Sequence, residues 1–143
     1  MANSSQQFSV AIHILCFLEF NKAGRTTSEL LGASVNANPA VIRRIMRKLT
    51  QAGLLVSTLG AGAAISLTRS AEQITLLEVY QAIQQEEHSE LFVIHPNPNP
   101  ECPVGSKMPF LLHGVYGNVQ AALEQQLSQV TISQLAHQII SEG

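Results

Sequence analysis

Apolar positions recur at helical spacing over much of the chain. Phe8, Ile12 and Leu15 form an i, i+4, i+7 stripe that Ala11 and Leu18 widen, which predicts a helix over about 5–19. Val10, Ile14 and Phe17 make its other side apolar as well. A helix apolar nearly all round needs cover on both sides, and in so short a chain the second cover is expected from another subunit. Asn21 and Gly24 follow as stop signals, because both tolerate the left-handed backbone that ends helices.

Helix starts are marked by residues that satisfy orphan backbone donors. Thr26 to Glu29, Thr75 to Glu78 and Thr131 to Gln134 each fit a capping box. Asn38-Pro39 supplies a capping side chain followed by a residue with no donor to orphan. These signals predict a short helix at about 27–34, a turn at 35–38 and a longer helix at about 39–52 ended by Gly53. Two strand-like runs, 54–58 and 64–68, flank Gly60-Ala61-Gly62 and read as a hairpin, or wing.

The second half reads as helices around one irregular loop. A helix at 75–85 carries Leu76, Leu77, Val79, Tyr80 and Ile83. The stretch 95–103 holds four prolines and reads as loop rather than helix or central strand. A long helix is expected at about 108–127, with Leu112, Val115, Tyr116, Val119 and Leu123 as its dimerisation stripe, and a last helix at about 132–141. The fold class is therefore mainly α with a small β-wing. Residues 1–70 form a winged helix-turn-helix domain, and 71–143 form a linker loop and dimerisation helices.

Composition narrows the function. The 143 residues carry a net charge of −2, and only 13% are charged, about half the usual ~25%. The near-neutral total hides a split: residues 1–69 sum to +5 and residues 70–143 to −7, with no aspartate anywhere. A basic half joined to an acidic half points to nucleic acid for the first. No run of ~18 or more uncharged apolar residues suits a membrane span. Two cysteines, Cys16 and Cys102, are too few for a disulfide framework, so a cytoplasmic protein with reduced thiols is expected. No enzyme motif places a nucleophile beside a base. The five histidines are not spaced as a metal set.

The chemistry concentrates on segment 38–52. Arg43 with Arg47, and Arg44 with Lys48, are i, i+4 pairs that form a basic stripe opposite Ile42, Ile45 and Leu49. A merely solvated cationic face is the simpler reading, but like charges at this spacing repel and no acidic partner lies nearby. Beside duplex, the second helix of a helix-turn-helix enters the major groove. There Arg43 or Arg44 reads guanine, Arg47 and Lys48 meet phosphate, and Ala40 and Val41 touch a thymine methyl. Thr27 and Ser28 open a helix whose free amides favour phosphate, Asn38 and Pro39 open the reading helix, and Gly60 and Gly62 let the wing backbone approach closely. Cys102 has two readings, a small loop residue without chemistry or a redox-responsive thiol, and the adjacent Glu101 favours the first. A winged-helix interaction module without DNA affinity is the competing function, and salt dependence of duplex binding separates the two.

The segments Val10-Ala11-Ile12-His13-Ile14-Leu15, Ser34-Val35-Asn36-Ala37-Asn38-Pro39 and Val41-Ile42-Arg43-Arg44 occur in the order and spacing of a known family. So do Ala52-Gly53-Leu54, Ile74-Thr75-Leu76-Leu77-Glu78-Val79-Tyr80 and Cys102-Pro103-Val104-Gly105. With these residues the chain resembles the Rrf2 family of winged-helix transcriptional regulators over about residues 4–135, in the branch without a cysteine-rich loop. The resemblance implies a homodimer whose long helices cross, a palindromic operator on double-stranded DNA, and repression. Members that bind an iron–sulfur cluster have three closely spaced cysteines. Here the loop holds Cys102 alone, so no cluster, metal or other cofactor is expected. The family often places Arg beside the wing glycines, whereas this chain has Leu59. No effector is assigned.

Overall fold

A computed structural model describes residues 4–58, 63–84 and 91–142. Among these residues six α-helices, one hairpin and a short 3-10 turn (Ala71–Gln73, before α4) are described, in the order α1 (Ser4–Phe20), α2 (Ser28–Val35), α3 (Pro39–Gln51), β1 (Leu55–Ser57), β2 (Ile65–Leu67), α4 (Leu76–Gln84), α5 (Pro103–Leu127) and α6 (Ile132–Glu142). The mainly helical class with a small two-stranded wing is the one the pattern predicts.

Local chemistry explains most boundaries. The side chain of Asn38 accepts from the Ala40 amide at 2.8 Å, and Pro39 occupies the first turn of α3. Asn36 ends α2 in the left-handed region, at φ 54°. Thr75 and Glu78 cap each other reciprocally at 3.3 and 3.2 Å, and Thr131 and Gln134 do the same, both at 3.2 Å. The proposed box from Thr26 to Glu29 does not form. Thr27 caps α2 instead, accepting from the Leu30 amide. Thr26 is buried one residue earlier, where its hydroxyl accepts from Asn21 and its carbonyl accepts from the Ile65 amide of β2.

The wing is antiparallel, with Leu55 opposite Leu67 and Ser57 opposite Ile65. Pairing continues past the strands, because the Thr58 amide donates to the Ala64 carbonyl. The wing tip, with Gly60 and Gly62, lies outside the described residues.

Helix α1 is the centre of the core. Ala11, Ile14 and Leu15 are fully buried, and α2, α3, α4, β2 and α6 all pack against it. The second cover of α1 expected from another subunit is therefore supplied largely within the chain, by α6. The core runs without a break from Leu31 and Ile45 to Ile83 and Ile132, across the boundary near residue 70. A short backbone ladder closes it: the Leu76 amide donates to Val130 and the Ile132 amide to Ile74, both at 2.9 Å.

Helix α5 departs from expectation at its start. It begins at Pro103 and not near 108, so the last proline of the loop is the first residue of the helix, where no donor is required. Pro109 then sits inside it, and leaves the Gly105 carbonyl without an i+4 amide. No residue of this 25-residue helix is buried.

Candidate nucleic-acid interface

Helix α3 buries Ile42, Ile45 and Leu49 and so fixes which residues face outward. Asn38, Pro39, Ala40, Arg43 and Arg47 are exposed, and Val41 and Arg44 are partly covered on its flanks. At about 100° per residue, Ala40, Arg43 and Arg47 lie on one side of the helix. Each exposed guanidinium offers five donors in a planar fork, a match for a phosphate or for the acceptor pair on a guanine edge.

Lys48 does not belong to this stripe. It is 2% exposed, and its ammonium donates to Oε1 of Gln7 and to the carbonyl of Ile83, each at 3.3 Å. The assignment of Lys48 to phosphate is thereby corrected, since Nζ points into the protein between α1 and α4. The cause is angular: Lys48 lies only about 60° from buried Ile45 around the helix.

The start of α2 and the wing hold the other predicted contacts. Ser28 is exposed at the start of α2 and Thr27 is partly covered. Of the four amides that a helix start leaves without intrahelical partners, Thr27 already engages that of Leu30. Arg25, which the sequence reading passed over, is exposed just before α2 and donates to the Ala63 carbonyl of the wing at 3.4 Å. Its signal was its place immediately ahead of a capped helix.

Pairing within the chain sharpens the charge distribution. Lys22 is paired with Glu19 at 2.7 Å, Arg69 with Glu78, and Lys48 is buried. The exposed positive surface of the first half therefore concentrates on Arg43 and Arg47, with Arg25 towards the wing.

The proposed dimerisation residues all lie on α5. Val115 and Val119 are exposed, whereas Leu112, Tyr116 and Leu123 are partly covered by the chain itself. Tyr116 packs on Phe92 at a ring separation of 5.2 Å, and Gln120 on the same side donates to the Tyr80 hydroxyl. Also exposed on α5 are Phe110, at 83%, and Leu111, at 55%, beside Val115 at 54%. A second uncovered apolar surface is a groove of about 580 Å³ between α1 and α6, lined by Ile12, Phe17, Phe20, Leu135 and Ile139. His13 borders it and is hydrogen-bonded to Ser34 at 2.9 Å.

The two thiols differ. Cys102 is the N-cap residue of α5, and the amides of Gly105, then Val104, hold its pKa below the ordinary thiol value. Cys16 is buried in α1, and desolvation pushes its pKa up to about 11. Among the described residues no three His, Cys or Glu side chains come together as metal ligands, and no helix is long and apolar enough to cross a membrane.

Three comparisons bear on this geometry. The Rrf2 family, described as an iron-dependent transcriptional regulator, matches residues 4–138. The chain is 40% identical to the Bacillus subtilis (strain 168) protein YwnA, named as an HTH-type transcriptional regulator, over 97% of this chain and 99% of that one. A crystal structure of a protein described as DNA-binding shares 35% identity and a TM-score of 0.70, covering 90% of this chain and 97% of the other. Oxidised CymR of Staphylococcus aureus, at 17% identity and a TM-score of 0.68 over 94% and 96% of the two chains, shares the fold. The donor set here does not fit the iron of the family description: the loop before α5 offers one thiol, Cys102, and the other cysteine is buried in α1.

Proposed function

Since the chain belongs to the Rrf2 family of transcriptional regulators, we propose that it acts as a homodimeric repressor that reads a palindromic operator with one α3 helix per half-site. The fold is that of a DNA-binding regulator and not of an enzyme. The observation that carries the finer reading is the outer face of α3. There Ala40, Arg43 and Arg47 stand exposed on a helix that is capped by Asn38 and anchored by Ile42, Ile45 and Leu49.

Roles follow from position along that helix. Arg43, near the N-terminal end, reaches a base edge, and Arg44 flanks it. Arg47 meets phosphate. Ala40 and Val41 contact thymine methyl groups, and Asn38 and Pro39 set the angle of entry. Thr27, Ser28 and Arg25 bind the neighbouring phosphates, and the wing glycines approach the backbone. Residues 1–70 do the reading and residues 71–143 the pairing. The exposed Phe110, Leu111 and Val115 of α5 support a second copy as the partner, because neighbouring apolar side chains left in water favour burial in an interface. The −7 half then lies away from the duplex. The protein works in the cytoplasm with reduced thiols.

Selection of bound sequences from random duplex, with reduced and with oxidised protein, tests the reading. Enrichment of an inverted repeat with steeply salt-dependent affinity is expected. Salt-independent or absent binding would leave a winged-helix interaction module instead.

A further inference from the structure

Lys48 occupies an unusual place for a lysine on a DNA-reading helix. It is 2% exposed, and an ammonium taken out of water costs several kcal/mol unless hydrogen bonds replace its hydration. The replacements come from two other helices. Nζ donates to Oε1 of Gln7 on α1 and to the main-chain oxygen of Ile83, both at 3.3 Å. Ile83 lies on α4 and is itself buried. One cation therefore ties α3 to α1 and to α4.

An apolar side chain of similar length would fill this space without the desolvation cost, so packing alone does not call for an ammonium. A directional anchor does what apolar packing does less well: it selects one rotational setting of the helix. Rotation matters on α3. With a helix some 10–12 Å across, a turn of about 10° carries a side-chain tip by about 1 Å, more than the spread of good hydrogen-bond lengths. Lys48 adjoins Arg47 and is five residues from Arg43 on the same helix.

We propose that Lys48 is a positioning residue for base reading. Its bonds to Gln7 and to the Ile83 carbonyl fix the rotation of α3 that aims Arg43 at the duplex, and Lys48 itself touches no nucleic acid. The role rests on the DNA-binding reading above.

The test compares wild type, Lys48→Met and Gln7→Met by fluorescence anisotropy. The probes are a labelled duplex recovered by the selection and a duplex of scrambled sequence, each titrated at several salt concentrations. Both variants are expected to lose about ten- to a hundredfold affinity for the selected duplex. They should bind the scrambled duplex as wild type does and keep the wild-type salt slope. The double variant should lose no more than either single one. A phosphate contact at Lys48 would instead lower the slope by about 0.9 and weaken both duplexes alike, which overturns the proposal. Wild-type selectivity in Gln7→Met also overturns it, even where Lys48→Met fails to fold. If wild type binds neither duplex, the DNA-binding reading falls and this role falls with it. If wild type discriminates and both variants do too, only the role of Lys48 falls.

Discussion

Gly105, in the first turn of α5, lies so close to Asn99 that a Cβ at position 105 would stand 2.4 Å from the Asn99 carbonyl oxygen. The obstacle is backbone, so the proline-rich loop itself would have to move. Gly105→Ala should therefore cost about 1–3 kcal/mol, despite the better helix propensity of alanine. Gly32, inside α2, makes the control, because nothing lies within 4 Å of a Cβ there. Gly32→Ala should gain about 0.5–1 kcal/mol. Thermal melts of the two variants should shift in opposite directions, and a Gly105→Ala melt at or above wild type would refute the close approach.

The reading helix makes a sharper prediction. Arg43 and Arg47 are exposed while the apolar face of α3 is buried, so truncating either arginine should leave the fold intact. Arg43→Ala should lose about 1–3 kcal/mol of affinity for the selected duplex and relax preference at one base pair. Arg47→Ala should weaken all duplexes alike and lower the salt slope by about 0.9. Unchanged operator affinity in Arg43→Ala would remove α3 as the reading element.

What the sequence disclosed, and what it hid, follows from the range of each interaction. The caps at Asn38, Thr75 and Thr131 are contacts within three residues, and they were legible because donor and acceptor share one helical turn. Thr26 and Thr27 are equally good caps locally. Only the distant Ile65 amide, which binds the Thr26 carbonyl, decides between them. Pattern alone showed that α1 is apolar all round but not that α6 of the same chain packs over part of it. Lys48 carries conflicting signals, since its angular position near Ile45 implies burial while its charge implies solvent, and the structure follows the angle. On α5 the apolar stripe did not disclose its phase relative to the chain's own cover, in which Tyr116 packs on Phe92 and Leu111 is left exposed.

That phase sets the test of the dimer. Leu111 and Val115 are each more than half exposed on α5, so replacing both with Glu should cost the isolated chain little. If two copies bury this face, four carboxylates enter an apolar interface, and sedimentation should show monomers with the helical content of wild type. Operator affinity should fall as well, because each half-site then binds alone. A dimer of unaltered stability would exclude this face of α5 from the interface.

The two cysteines should respond to pH in opposite ways. At Cys102 the Gly105 and Val104 amides favour the thiolate, so its pKa lies below the ordinary thiol value. Its alkylation by iodoacetamide in the native protein should rise with pH through a midpoint below that of the same thiol in the denatured chain. Cys16 is held neutral by burial, with a pKa of about 11 against 9.0 when unperturbed. It should resist the reagent until the protein is denatured. Linkage fixes the effect on stability. The folded pKa of Cys16 is the higher one, so its contribution is fully present below pH 9.0 and is lost as pH rises towards about 11. Cys16→Ala should accordingly flatten the decline of stability over that alkaline range, while Cys102→Ser should leave it in place. A native-state midpoint for Cys102 at or above that of a free thiol would show that the first turn of α5 does not activate it.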